Sequence, residues 1–224
     1  MISKVAIQFT QDLKNNNNTS WMHANKTRYE AYKKEYHQFI DSLLIEMKKW
    51  DKSLESLEIK NCTFRINRDI RFSKDKTPYK THIAAWLSTN KNRKNSPGYY
   101  IHFEEGNSFI AGGIWSPEVD ALKKIRKEIA FFYEDLEKII KQPDFKKEFS
   151  NITRDENYLL KKAPKGYEPN HPAIELLKLK SFTCSQKIDD HLFLSKEFNV
   201  TIAKKLIALK DFNQFLNRAL ETED

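Results

Sequence analysis

The spacing of apolar residues changes twice along this chain of 224 residues, and those changes narrow what it can fold into. Tyr29, Tyr32, Tyr36, Phe39, Leu43, Met47 and Trp50 recur at steps of three and four, the period of one helix face. After Ser53 the step falls to two. Cys62, Phe64 and Ile66 alternate with Thr63, Arg65 and Asn67, which predicts a strand over 62–67. Ile83, Ala85 and Leu87 predict another over 81–88. Residues 99–104 and 108–115 read as two more, joined by Glu105-Gly106-Asn107, a hairpin signal. The helical step then returns with Leu122, Ile125, Ile129, Phe132, Leu136 and Ile139, opened by Pro117 and closed near Gln142. Short helices over 144–160 and 173–178, a strand over 179–184 and a helical tail from Ser195 complete the pattern. Asn15–Asn18 and the stretch NKNRKNSPG read as polar loops. Strands in the middle with helices before and after predict an α+β fold. Its centre is a mainly antiparallel sheet flanked by long helices, in a single domain over 1–224 with the segment of about 195–222 packed on it.

Composition removes several alternatives. Hydrophobic residues at 39% and aromatics at 12% are too abundant for a disordered chain. At this length a fold buries about 70% of its extended surface and needs no covalent staple. No apolar run approaches the roughly 20 residues that span a bilayer, so no membrane partner is expected. The opening MISKVAIQFTQDLK is interrupted by Gln8 and has no small-residue cleavage site, which argues against a secretory signal. Cys62 and Cys184 are far apart in sequence, so a cytoplasmic location without a disulfide framework is expected. No HxxxH, HxH or CxxC spacing supports a metal site, and no Walker, GxGxxG or GxSxG motif supports nucleotide or hydrolase chemistry. Nothing in the sequence names a cofactor, a catalytic residue or an oligomeric state.

Charge is where the sequence becomes specific. The net charge is +8, and residues 60–94 hold ten Lys or Arg against Asp69 and Asp75. The remainder of the chain is therefore close to neutral, and a surplus gathered in one segment steers anions. Its heart is FRINRDIRFSKDKTPYKTH. The candidate ligand-binding residues are Arg65, Asn67, Arg68, Asp69, Arg71, Asp75, Lys76, Tyr79 and Lys80, with Trp115 and Tyr167 as walls. Arginine presents a planar fork that matches a phosphate or carboxylate in a bidentate way. In this reading Arg65 and Arg71 clamp the anion, Lys80 adds a point charge, Asp69 orients an arginine, and Ser73 and Thr77 offer hydroxyls. Asp75 or His171 is the candidate acid or base if chemistry follows. The partner is then an anionic small molecule, with nucleic acid as the second candidate. A third reading is a salt-bridged structural module, although exposed pairs contribute only about 0–1 kcal/mol each. In FIAGGIW, Gly112 and Gly113 read first as a strand irregularity under a packed aromatic, and second as a ligand floor. His171, in APKGYEPNHPA, reads first as a loop brace.

The long motifs resemble a known family. FRINRDIRFSKDKTPYKTHIAAWL, DLKNNNNTSWMHANKTRYE, PGYYIHFEEGNSFIAGGIWSPE and APKGYEPNHPAIELLKLKSF are similar, in this order, to stretches of a widespread bacterial and fungal family of conserved hypothetical proteins. That family is a domain of unknown function marked by an RxNRDxRFSxDKxPYK signature. The likeness runs from about Phe9 to the C-terminal helix and departs at Trp21-Met22, where a second aromatic is expected. It implies one α+β domain and a shared site at the basic stretch, and it supplies no reaction.

Overall fold

A computed structural model describes residues 1–88 and 95–221. In chain order the helices α1 (Lys4–Asn15), α2 (Thr19–Ala24), α3 (Lys26–Trp50) and α4 (Ile59–Cys62) precede the strands β1 (Ile83–Leu87), β2 (Gly98–Phe103) and β3 (Phe109–Ile114). Then follow α5 (Val119–Phe131), α6 (Tyr133–Lys141), α7 (Pro143–Phe149), α8 (Ile174–Leu177), β4 (Phe182–Lys187), α9 (Phe198–Leu206) and α10 (Lys210–Glu221). The strands pair in the order β1-β2-β3-β4 in one antiparallel sheet, and the architecture is α+β. Among the described residues no helix is long and apolar enough to cross a membrane.

The residues group into two compact units. The first comprises Met1–Leu87, Tyr100–Phe109 and Lys187–Lys204. The stripe read from the sequence buries Tyr32, Tyr36, Phe39, Leu43 and Met47 on α3, while Trp50 at its end stays exposed. Phe39 meets Phe193 and Phe198, and Phe103 meets Phe193, giving this unit an aromatic core. Truncating a fully buried member such as Leu43 to Ala costs about 2–5 kcal/mol. The second unit comprises Ser88–Tyr99, Ile110–Gln186 and Lys205–Asp224. Its core gathers Ile125, Ile129, Leu136, Phe145, Phe182, Leu209 and Phe212.

Gly113 shows why FIAGGIW tolerates no side chain. Its φ is +103, and a Cβ there would lie 2.0 Å from the Phe182 carbonyl oxygen. At Gly112 the same atom would lie 2.6 Å from Leu209 Cδ1. Protein atoms from Leu209, Phe182 and Phe212 fill the space above both glycines.

Three local expectations are corrected. Residues 62–67 do not form a strand. Glu58 and Asn61 make a capping box that starts a helical turn, and Cys62 is its last residue. Beyond it only isolated bridges form, Thr63 to Ala85 and Asn67 to Tyr79. Pro78, opposite this stretch, has no N–H to extend a ladder. The long helix after Pro117 breaks at Phe132, whose φ of −122 and ψ of 36 leave the helical region. Phe132, expected on the buried stripe, is therefore exposed, with the Arg218 guanidinium 4.7 Å from its ring centre. The last strand is shifted to Phe182–Lys187. The loop expected at NKNRKNSPG lies mostly outside the described residues, as do Lys91, Arg93 and Lys94.

Candidate functional site

The basic stretch folds back on itself. Arg68 N donates to Pro78 O (2.9 Å) and Lys80 N to Ile66 O (2.8 Å), so 65–68 runs beside 78–80. Asn17, from the Asn-rich turn, locks the far side: its side chain accepts from Tyr79 N at 3.1 Å and donates to Tyr79 O at 2.9 Å. Tyr36 on α3 ties the near side, accepting from Phe64 N (3.0 Å) and donating to Ala84 O (2.6 Å). The backbone of the motif is thus fixed by neutral side chains, leaving its charges to other partners.

Those charges divide into two groups. Arg71 closes both arms on Asp69, at 3.0 Å and 2.7 Å, and its ring neighbour Phe72 is 96% exposed. The Asp69 carboxyl is held down at about 2 by that guanidinium first and by the Arg71 backbone N–H second. Arg68 Nη1 reaches Asp75 (2.5 Å), Thr77 O (3.0 Å) and the Thr77 hydroxyl. Asp75 also accepts from Thr77 N, and these bonds hold its carboxyl down at about 2, so it stays ionised near neutral pH. Lys76 Nζ donates to Ile70 O at 2.9 Å.

The second group faces a hollow. A cavity of about 380 Å³ is lined by Tyr29, Lys33, His37, Lys60, Phe64, Arg65, Asn67, Lys80 and His82 among others. No carboxylate lines it. Arg65 and Lys33 are exposed, and neither side chain makes a hydrogen bond or salt bridge among the described residues. Lys60 pairs with Glu58 at 2.6 Å. Lys80 Nζ donates to Arg65 O (2.6 Å) and Asn67 O (3.2 Å), which leaves one of its three N–H groups uncommitted. Burial first, then the positive charges of Arg65 and Arg68, push the Lys80 ammonium below its ordinary value. His37 is likewise pushed down, by burial and by Lys33. Both shifts come from burial first, with neighbouring cations adding to it.

His82 and Lys80 also line a neighbouring cavity of about 440 Å³ with Asn17, Arg68, Asp69, Asp75, Thr77, Tyr79 and Thr81. Of the residues read from the sequence, Arg65, Asn67 and Lys80 therefore share the first hollow, and Arg68, Asp69, Asp75, Tyr79 and Lys80 the second. Arg71 and Lys76 line neither. Trp115 belongs to the second unit, where it meets Tyr158 edge to face. Tyr167 is in that unit too, near His171. His171 Nδ1 accepts from Ala173 N at 3.0 Å, a loop-bracing bond. Among the described residues no cluster of His, Cys, Asp or Glu is arranged to hold a metal ion.

Sequence reasoning missed Lys33, His37 and Tyr29 as part of this hollow. The signal was present in their spacing: 29, 33, 36 and 37 fall on one helix face.

The sequence model of a family described as conserved hypothetical protein (DUF2461) matches residues 5–215. No curated protein and no solved structure matches the chain.

Proposed function

We propose that this chain, which belongs to the conserved hypothetical protein family DUF2461, binds a small anion bearing a phosphate or carboxylate at Lys33, Arg65 and Lys80. The supporting observation is a concave site with four cationic side chains and no lining carboxylate. Its volume lies at the lower end of the roughly 300–1,000 Å³ usual for ligand pockets. Arg65 supplies a free bidentate fork, Lys33 a mobile point charge and Lys80 its remaining N–H. Asn67 adds an amide, and Tyr29 and Phe64 give the body of the ligand an apolar wall. Arg68, Asp69, Asp75 and Tyr79 shape the loop from behind. Arg71 and Lys76 stay outside the binding set, because neither lines the hollow.

Thermal unfolding with inorganic phosphate tests this on the wild type and on Lys33→Ala/Arg65→Ala. Both side chains are exposed and unpartnered, so the variant keeps its fold. Saturation at 100 times the dissociation constant stabilises the wild type by about 2.7 kcal/mol. That stabilisation disappears in the double variant. An equal shift in both proteins removes the proposal.

A second reading is binding of single-stranded nucleic acid, favoured by Phe72 at the loop tip beside Arg71 and Lys74. Exposed aromatics stack on bases while cations follow the phosphates. It predicts affinity falling steeply with salt, with a slope of about −0.7 per phosphate contacted. A small anion gives a far shallower slope.

A further inference from the structure

Behind the hollow lies a row of polar side chains that anion binding alone does not use. Tyr100, His102 and Glu104 sit at alternate positions along and just beyond β2, so they share one face. The Tyr100 hydroxyl is 3.1 Å from His102 Nδ1, and His102 Nε2 is 3.6 Å from Glu104 Oε2. Nδ1 and the phenol share a hydrogen bond, and Nε2 faces the carboxylate at ion-pair range. His102 is thereby held by Tyr100, and the residue is only 8% exposed. Phe109 stacks on the ring, 4.8 Å between centres.

His82 stands between this row and the hollow. Its ring centre is 4.4 Å from that of His102, and the residue lines both cavities. Unlike His102, it makes no hydrogen bond among the described residues. It is a half-buried imidazole with both nitrogens uncommitted, beside Lys80 and Arg65. Such a group is costly to charge in the empty site and becomes easy to charge once an anion arrives.

We propose, on the anion-binding reading of this hollow, that His82 is its specificity residue: it donates to the bound anion as an imidazolium, so the site takes up a proton with its ligand and selects a doubly charged group. In the empty site His82 is held down at about 4, by burial first and then by electrostatic coupling to His102, while Lys80 and Arg68 add to that and Glu104 opposes it. A dianion reverses the local field, and an opposite charge within hydrogen-bond reach favours the charged imidazole. Proton uptake is then confined to the window between about pH 4 and the raised value in the complex. The other titratable and charged groups lining the two cavities with His82 are Tyr29, Tyr32, Lys33, Tyr36 and His37 from α3, Lys60 from α4, Arg65 and Lys80 from the motif, and Arg68, Asp69, Asp75 and Tyr79 on the neighbouring side. Of these His37 is the other imidazole, and burial pushes it down as well.

Sulfate is the probe, because it keeps both charges throughout this window and brings no titration of its own. Calorimetric titration at pH 6 in two buffers of different ionisation enthalpy counts the protons taken up. The expected result is a clear uptake per sulfate for the wild type and His37→Gln, and none for His82→Gln, which binds more weakly. Wild-type affinity rises as pH falls, by up to about tenfold per unit where one proton is linked. Imidazole ¹H–¹⁵N spectra of the wild type, which need no variant, show His82 protonating on sulfate addition while His102 keeps its tautomer. Binding without proton uptake, or uptake that survives in His82→Gln, overturns the role of His82 and leaves anion binding standing. Absence of sulfate and phosphate binding overturns both.

Discussion

The hollow at Lys33, Lys60, Arg65 and Lys80 has about 380 Å³ and no lining carboxylate, whereas one in the second unit, at Asp135, Lys138, Asp211, Gln214, Phe215 and Arg218, has about 480 Å³ and sets two cations against two acids. The larger space has its charges closed within it. Arg218 reaches Glu128 and lies 3.8 Å from Asp135, and its guanidinium covers Phe215 at 5.1 Å. Gln142 joins Asp211 at 2.9 Å. In the smaller space Arg65 and Lys33 reach no partner. Cations that already have acids hold a fold together. Cations that reach no acid, such as Arg65 and Lys33, carry an electrostatic cost that an anion relieves, and that difference, not volume, marks the candidate site.

Removing a cation from each hollow tests the contrast directly. Arg218→Ala strips the buried Glu128 of a charged partner. A buried acceptor left wanting costs about 1–3 kcal/mol, so the variant unfolds at visibly lower denaturant while binding phosphate as before. If Arg218→Ala leaves stability unchanged, or if it weakens anion binding, the two hollows are not opposites.

A smaller effect separates them by pH. His82 is held down at about 4 in the fold, against about 6.5 in an unfolded chain. Between those values the unfolded state binds more protons, so stability rises with pH across the window and is lost as pH falls through about 4. After discounting for partial exposure, this amounts to something on the order of 1 kcal/mol. Urea unfolding at pH 4.5 and 7 shows a smaller difference for His82→Gln than for the wild type. His102 and His37, also pushed down by burial, keep part of the slope. An unchanged slope in the variant sinks this account of His82. Added sulfate stabilises more at acid than at neutral pH, and so flattens this slope, only if His82 faces the ligand.

The fold was legible where periodicity is strong. The stripe from Tyr29 to Met47 names the buried face of α3, and alternation around Ile83–Leu87 names a strand. Residues 62–67 alternate just as well, yet they do not form a ladder. Alternation records which side each residue faces, whereas the capping box at Glu58 and the missing N–H of Pro78 decide whether hydrogen bonds follow. The candidate site was legible in part, because the charge surplus at 60–94 is a composition signal. Its division was not. Whether Arg65 or Arg71 finds an acid depends on a loop geometry that puts Asp69 against Arg71 two residues away, and spacing alone does not distinguish them. Lys33 and His37 share a helix face with Tyr29 and Tyr36 in the sequence, but spacing does not say that the fold brings Lys80 and His82 opposite.

Arg71 gives the smallest effect and the sharpest test of that division. It stands in the signature stretch and reads, by residue type, as Arg65's equal. Its fork is closed on Asp69 in a fully exposed pair, and such pairs contribute about 0–1 kcal/mol. Arg71→Ala should therefore leave both stability and phosphate affinity within error of the wild type, while Arg65→Ala abolishes the affinity. Loss of affinity in Arg71→Ala would mean that the Asp69 pair opens and Arg71 swings to the ligand, restoring the clamp of two arginines. Stability lost without affinity would make the Asp69–Arg71 pair a strut of the loop. An unchanged Arg71→Ala beside a dead Arg65→Ala would show that one motif holds cations of two kinds, set apart only by whether a carboxylate reaches them first.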